Sequence, residues 1–135
     1  MQLVHWTVRW SFSVNTTIHA SQAAKQSNNV IIIGAGFSGL GLGVLLKWAG
    51  VKFIILEKAE EIGGTWWYND YPGAAVDVKS HTYCFSFYPN RAWSDRYSVR
   101  DEILAYLRDI VLHFQLKQYI RLKVWLELPT WSYNS

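Results

Sequence analysis

Short apolar runs and a glycine-rich stretch organise the first half of this 135-residue chain. A run of β-branched residues at 30–33 leads into the glycine-rich stretch 34–39, and apolar residues are then frequent up to Gly50. A second run, 51–56, is apolar except for Lys52 and ends at Glu57. Short apolar runs indicate strands that are buried on both faces, and a glycine after the last apolar residue commonly ends a helix. The pattern predicts a strand, a tight turn, a helix and a second strand, which together form a βαβ unit.

The second half of the chain predicts an aromatic-rich loop, an amphipathic helix and a further strand. Residues 62–97 are rich in Gly, Pro, aromatic and Asn/Asp residues, which is typical of an ordered loop. Ser98 is the expected N-cap of the next helix, with Asp101 at the capping-box position. Apolar residues then recur on one helical face up to Phe114. Alternation of side chains over 119–126 predicts the strand.

The N-terminal part of the chain follows a different pattern. Every even position from 4 to 14 is Val, Trp or Phe, which predicts a half-buried strand, and the polar residues 15–29 predict a linker. No Asp or Glu precedes Glu57. We expect deletion of residues 1–27 to leave ligand binding unchanged.

Composition narrows the class of protein. Half of the residues are hydrophobic and 16% are aromatic, so a packed core is possible in a single domain. One cysteine excludes a disulfide framework and a multi-cysteine zinc site. A net charge of +3 is too small to indicate nucleic-acid binding, and the apolar runs are shorter than the ~20 residues of a membrane helix. We expect a cytoplasmic protein that acts on a small molecule, with no metal, nucleic-acid or membrane partner.

The sequence Gly34-x-Gly36-x-x-Gly39 predicts a phosphate-binding turn, because it follows a buried strand and opens a helix. Gly34 permits the tight turn, Gly36 lets the backbone approach a pyrophosphate, and Gly39 lets the helix pack close to the strand. The free N–H groups at the helix start then favour anionic phosphates. The alternative is a glycine turn that only connects the strand to the helix. Gly41 and Gly43 lie further along the same helix, where close packing is the simplest explanation for the cost of a helical glycine.

Glu57 follows Gly39 by 18 residues and ends the second predicted strand. A carboxylate there can accept hydrogen bonds from both ribose hydroxyls of an adenosine, and it repels a 2′-phosphate, which leaves FAD or NAD as candidates. The alternative is an ordinary surface acid. We expect Glu57→Ala to weaken adenosine binding with little effect on the stability of the ligand-free chain.

A double glycine before two tryptophans, at 63–67, is unusual for a solvent-exposed loop. Gly63-Gly64 lets the backbone pass close to a flat ligand, and Trp66 or Trp67 can form a wall beside a ring system. An aromatic-rich loop that packs on the core is an equally good explanation from the spacing alone.

Taken in order, these motifs resemble the class B flavoprotein monooxygenases, which include the Baeyer–Villiger and the flavin-containing, dimethylaniline-type monooxygenases. The resemblance covers about residues 28–124, and the run from Gly63 to Asp77 is most similar to the Baeyer–Villiger branch. The matching residues are Gly-Ala-Gly-Phe-Ser-Gly (34–39), Glu57-Lys58, Gly-Gly-Thr-Trp (63–66), Asn69, Tyr-Pro-Gly (71–73), Asp77, Ser80-His81 and 83–87.

The resemblance implies a role for each matching residue. The FAD pyrophosphate would be cradled by Gly34, Ala35, Gly36, Ser38 and Gly39. The adenosine ribose would be held by Glu57, with Lys58 beside it. The flavin side would be lined by Gly64, Thr65, Trp66 and Trp67, and Tyr83 would contact FAD. Asp77 would be the catalytic acid, which helps to place an arginine near the flavin and lies where the family also approaches NADP.

The resemblance also implies a fold and a reaction. The fold is α/β, a Rossmann-like FAD/NAD(P)-binding βαβ unit with an aromatic-rich loop, one further amphipathic helix and a strand, as part of an incomplete domain. The domain boundaries are an atypical extension and linker at 1–28, the N-terminal part of an FAD-binding domain at 29–126, and an unpatterned tail at 127–135.

The reaction is NADPH- and O2-dependent oxygenation of a ketone, amine or sulfide through a C4a-peroxyflavin. The family's second glycine motif, which binds NADPH, does not occur in the chain, so we expect these 135 residues to be inactive alone. A non-catalytic dinucleotide-binding fragment and a different FAD or NAD oxidoreductase are the alternatives.

Overall fold

A computed structural model describes residues 30–126, so the predicted strand at 4–14, the linker and the tail at 127–135 lie outside the described part of the chain. The α-helices are α1 (Phe37–Trp48), α2 (Thr65–Tyr68) and α3 (Arg100–His113), and the strands are β1 (Val30–Ile33), β2 (Phe53–Leu56) and β3 (Ile120–Arg121). Short 3-10 turns cover Ser80–Thr82 and Lys117–Tyr119. No helix within residues 30–126 is both long enough and apolar enough to cross a bilayer.

The three strands form one parallel sheet in the order β1-β2-β3, which confirms the predicted βαβ unit. Ile31 of β1 pairs with Ile54 of β2. Alternate strand residues point to opposite faces, so one face of the sheet is buried in the core. That core contains residues of the sheet and of both long helices: Ile32, Phe53, Ile55, Leu40, Val44, Leu107 and Ile110.

Glycines allow α1 to lie close to its neighbours. A Cβ at Gly39 would be 1.9 Å from the carbonyl oxygen of Gly34, and a Cβ at Gly43 would be 2.9 Å from Cδ1 of Ile55. A Cβ at Gly41 would be 2.6 Å from the ring of Phe85. Close packing therefore explains the glycines inside this helix, as the sequence predicted.

The predicted start of α3 is wrong in one respect, because Ser98 does not cap the helix. Val99 occupies the N-cap position, and its apolar side chain makes no capping hydrogen bond. Ser98 is 1% exposed, and its hydroxyl and its N–H both donate to Oγ of Ser80, each at 2.8 Å. The Ser80 hydroxyl in turn donates to the carbonyl oxygen of Asp95 at 3.0 Å. The Ser98 hydroxyl therefore bonds to Ser80 in the loop and does not form the cap that the local sequence predicts.

The strand predicted over 119–126 is correct in position but too long. Only Ile120–Arg121 pairs with β2. Lys123 then has a φ of +59°, which interrupts the extended backbone. Its N–H donates to the carbonyl oxygen of Ala59, and the N–H of Val124 donates to that of Glu57, both at 2.9 Å. The chain here bonds to the segment after β2 instead of extending the strand.

Candidate functional site

The candidate site is a cleft at the carboxyl ends of β1 and β2, where open parallel sheets commonly bind ligands. The cleft has a volume of about 430 Å³, and a second cleft of about 580 Å³ adjoins it. The residues that line both are Ile33, Gly34, Glu57, Gly64 and Thr65. The first cleft is also lined by Gly36, Phe37, Ser38, Gly39, Gly63, Trp66 and Tyr83. The two clefts therefore form one continuous groove across the edge of the sheet.

The glycine turn brings the N-terminus of α1 to this groove. Gly34 has a φ of +96°, and its N–H donates to the carbonyl oxygen of Leu56 at 2.7 Å, which ties the turn to β2. Gly36 is the N-cap of α1, no side chain caps the helix, and its first turn contains no acidic residue. The first N–H groups of a helix have no intrahelical partner, so this end of α1 favours an anion.

A second glycine turn meets the first one, backbone against backbone. Gly63 and Gly64 have φ values of +127° and +57°, and a Cβ at Gly64 would be 3.0 Å from Cα of Gly36. The N–H of Gly63 donates to the carbonyl oxygen of Ala35 at 3.0 Å. A side chain at Gly64 would therefore separate the two turns that border the groove.

Glu57 is buried beneath the glycine turn, with 4% of its surface exposed. Oε2 accepts the N–H of Ala35 at 2.7 Å, and Oε1 accepts the N–H of Ala59 at 2.9 Å. These two bonds connect β2 to the turn and exclude the alternative of an ordinary surface acid. They also predict, against the expectation from the sequence, that Glu57→Ala lowers the stability of the ligand-free chain, because it would leave two buried N–H groups without an acceptor.

Aromatic side chains form one wall of the groove. The indole N–H of Trp66 donates to the hydroxyl oxygen of Tyr83 at 3.0 Å, and the ring of Tyr83 lies 4.9 Å from that of Phe37. An indole can only donate, so the Tyr83 hydroxyl keeps its own proton for another acceptor. Phe37 lines the groove, but sequence reasoning gave it no binding role. Phe37 carries no sequence signal apart from its position within the glycine motif.

Four of the predicted site residues lie outside the first cleft. Ala35 is fully buried and contributes only backbone bonds. Lys58 lines the adjoining cleft, with its ammonium 5.2 Å from the ring centre of Tyr68. Trp67 presents its carbonyl oxygen to Arg100, and Asp77 is exposed and lines neither cleft. The first cleft thus brings together nine of the predicted residues, and the adjoining cleft adds Lys58; the nine are Gly34, Gly36, Ser38, Gly39, Glu57, Gly64, Thr65, Trp66 and Tyr83.

Comparison with known proteins extends the match well beyond the glycine motif. Residues 32–98 match the family model of an NAD(P)-binding Rossmann-like domain. The chain is 43% identical over 104 residues to a Baeyer–Villiger monooxygenase of Streptomyces coelicolor, and 38% identical over 121 residues to one of Pseudomonas aeruginosa. These matches cover 76% and 89% of this chain, but only 20% and 23% of the relatives.

Solved structures are similar over the same part of the chain. A steroid monooxygenase bound to NADP has a TM-score of 0.68 at 37% identity. The match covers 70% of this chain and 19% of the steroid monooxygenase. OTEMO in complex with FAD and NADP has a TM-score of 0.67 at 29% identity. The match covers 72% of this chain and 19% of the OTEMO chain.

A parallel sheet, a glycine turn that opens a helix, and a carboxylate at the end of the second strand define a Rossmann-like dinucleotide-binding domain. The matches with monooxygenases identify which branch of this large class the domain comes from. The chain belongs to the class B flavoprotein monooxygenases, the family of the Baeyer–Villiger enzymes, and spans about a fifth of the length of the relatives it matches.

Proposed function

We propose that the groove binds FAD, with the pyrophosphate at the start of α1, the adenosine ribose at Glu57 and the flavin beside Trp66. The observation that carries this proposal is the convergence of three features on one groove. These are the N-terminus of α1 without a side-chain cap, the buried carboxylate of Glu57 and the backbone contact between Gly36 and Gly64.

The charge distribution of the groove supports a diphosphate near α1. The first turn of α1 contains no acid that would repel an anion, and Ser38 and Gly39 of this turn line the cleft. Each carboxylate oxygen of Glu57 accepts one backbone N–H, from Ala35 or from Ala59. Each oxygen has a second lone pair, so the carboxylate can accept ribose hydroxyls without releasing the turn. Its negative charge disfavours the 2′-phosphate of NADP at this position.

We assign the flavin-dependent oxygenation of a small ketone, amine or sulfide to the complete enzyme, with NADPH as the reductant. FAD supplies the redox and oxygen chemistry when it is bound, and the protein supplies binding and orientation. In this chain Trp66 and Tyr83 would border the ring, and the Tyr83 hydroxyl would donate to an acceptor on it. Asp77 remains a proposed catalytic acid, and its exposure leaves it accessible to an arginine from another part of the enzyme. A chain with a single cysteine forms no disulfide within itself, which suits the reducing cytoplasm.

A titration of the purified chain with FAD tests the proposal. We expect micromolar or weaker affinity, because only one groove fixes a large ligand. Gly36→Val should abolish FAD binding and leave the circular dichroism spectrum largely intact, since the branched side chain would push on Gly64. Ala92→Val is the matched control, because Ala92 is exposed and lies outside the groove. Equal FAD binding by the parent and Gly36→Val would contradict the proposed site, and recovery of NAD instead of FAD after extraction would favour the other oxidoreductases.

A further inference from the structure

Arg100, the first residue of α3, connects this helix to the short helix beside the groove. Its Nη2 donates to the carbonyl oxygen of Trp67 at 3.1 Å, and its Nη1 donates to Oδ1 of Asp101 at 2.8 Å. The Arg100 side chain is 22% exposed, and within residues 30–126 its shielded Nε has no hydrogen-bond partner. The guanidinium therefore divides its donors between the backbone carbonyl of Trp67 and the exposed carboxylate of Asp101.

The carbonyl that Arg100 holds belongs to an element that cannot be stable by itself. Helix α2 has four residues, and its N-cap Gly64 has no side chain with which to cap it; the exposed side-chain amide of Asn69 donates to a backbone carbonyl of the helix. A single helical turn is unstable without tertiary contacts. Leu104, one turn after Arg100, packs against the start of α2, since a Cβ at Gly63 would be 2.4 Å from its Cδ2. Arg100 is thus the polar contact, and Leu104 the apolar contact, that keep α2 on α3.

The position of α2 determines the position of the groove's aromatic wall. Thr65 and Trp66 belong to α2 and line the cleft, and Trp66 holds the hydroxyl of Tyr83. Arg100 itself does not line either cleft. An effect of Arg100 on a ligand through contacts would therefore pass through the Trp67 carbonyl and α2.

We propose that Arg100 is a positioning residue that holds α2 and, through it, the wall against which the flavin ring binds. This inference rests on the proposed function, because it assigns that wall to the flavin end of FAD. The pyrophosphate turn and Glu57 make no contact with the Arg100 side chain, so the adenosine end should be independent of it. Loss of Arg100 should weaken FAD binding and spare ADP binding.

The test compares FAD and ADP titrations of the full chain with Arg100→Met, which keeps the aliphatic stem and removes the donors. We expect about tenfold weaker FAD binding, as for the loss of one charged hydrogen bond, and ADP affinity within about twofold of the parent. Arg100→Lys keeps a charged donor and should recover part of the FAD affinity. Arg108→Met is the control on the same helix, since Arg108 is 49% exposed and forms an ion pair with Glu61 at 3.8 Å.

Amide hydrogen exchange on the ligand-free chain gives a second readout. Trp67, Tyr68 and Asn69 donate their N–H groups within α2 and its end, so these amides should exchange faster in Arg100→Met, with the amides of 107–111 unchanged. Equal loss of FAD and ADP affinity, or unchanged exchange in α2, would overturn the inference. If the parent binds no FAD, the proposed function fails and the exchange result alone decides the role of Arg100. If Arg100→Met does not fold, Arg100→Lys decides by the same comparisons.

Discussion

Glu57 connects the fold and the proposed ligand site through one carboxylate. Its oxygens accept the N–H groups of Ala35 and Ala59, and it also borders the groove. Because the residue is only 4% exposed, these bonds are largely shielded from water. The same group therefore orders the glycine turn before a ligand arrives and remains available to the ribose afterwards.

Glu57→Gln tests this double role. One amide oxygen can serve one of the two backbone donors, but the amide NH2 would face the other, so we expect a loss of about 1–3 kcal/mol in the free energy of unfolding. Urea denaturation of the ligand-free chain measures it, and ADP titration should show weaker binding. Glu102→Gln is a control, because Glu102 accepts exposed hydrogen bonds from the N–H and the hydroxyl of Ser94. A Glu57→Gln chain as stable as the parent would restrict Glu57 to ligand binding.

Gly39 and Gly43 should differ sharply in their tolerance of alanine. A Cβ at Gly39 would collide with a backbone carbonyl oxygen at 1.9 Å, whereas a Cβ at Gly43 meets the movable Cδ1 of Ile55 at 2.9 Å. We expect Gly39→Ala to cost about 3 kcal/mol or more of unfolding free energy, as for severe overpacking. Gly43→Ala should stay within about 1 kcal/mol, because helix propensity offsets the shift of Ile55. Thermal denaturation measures the loss of stability in both variants. Equal losses would show that the contact with the Gly34 carbonyl does not make Gly39 less tolerant of alanine than Gly43.

At the level of elements, Tyr106 attaches the aromatic-rich loop to α3. Its hydroxyl donates to the carbonyl oxygen of Tyr88 and accepts the N–H of Phe85, both at 2.8 Å. The rings of Phe85 and Phe37 are 4.4 Å apart, so the loop contacts the start of α1 as well as α3. The loop is thus held by a buried hydroxyl as well as by ring packing.

Burial raises the pKa of the Tyr106 hydroxyl from 10.0 to about 12, although the N–H of Phe85 opposes this shift. The folded chain therefore holds this proton more tightly than the unfolded chain does. Stability from this group is complete below about pH 10 and falls as the pH rises through the pKa of about 12. Urea denaturation from pH 8 to 12 should show the decline, and Tyr106→Phe should be less stable at pH 8 with a shallower decline above pH 10. Parallel curves for the two chains would contradict this assignment.

On the scale of the whole molecule, one face of the sheet is uncovered within residues 30–126. Ile31 and Ile33 are 48% and 72% exposed, whereas Ile32 between them is 5% exposed. Parallel sheets normally have both faces covered. The relatives that match are about five times as long as the matched part, so a complete enzyme has additional chain with which to cover such a face.

We expect this chain alone to show no coupled oxygenation. The groove is open to water, and productive oxygen transfer needs a water-poor site beside the flavin. The assay combines the chain, FAD, NADPH and a panel of ketones and thioethers under air, with the Streptomyces coelicolor Baeyer–Villiger monooxygenase as the positive control. NADPH consumption should not depend on substrate, and electrons that reach O2 should appear as hydrogen peroxide. An oxygenated product formed in proportion to NADPH would show that these residues suffice for catalysis.

The sequence by itself determined the βαβ unit and most of the groove. The strand–glycine–helix order and the position of Glu57 depend on local backbone requirements and on spacing along the chain, which can be read without a structure. The helix over Arg100–His113 was equally accessible, because its buried residues recur at helical spacing. These features follow from interactions between residues that are near one another in the sequence.

Only the tertiary structure decided which polar groups of distant segments form hydrogen bonds with one another. Ser98 bonds to Ser80 instead of capping its helix, Lys123 leaves the sheet to bond to Ala59, and Arg100 reaches the carbonyl of Trp67. The close contact of Gly36 with Gly64 likewise joins turns far apart in the chain. A local pattern specifies what a residue can bond to, but a buried donor or acceptor must take whichever partner the packing brings within reach.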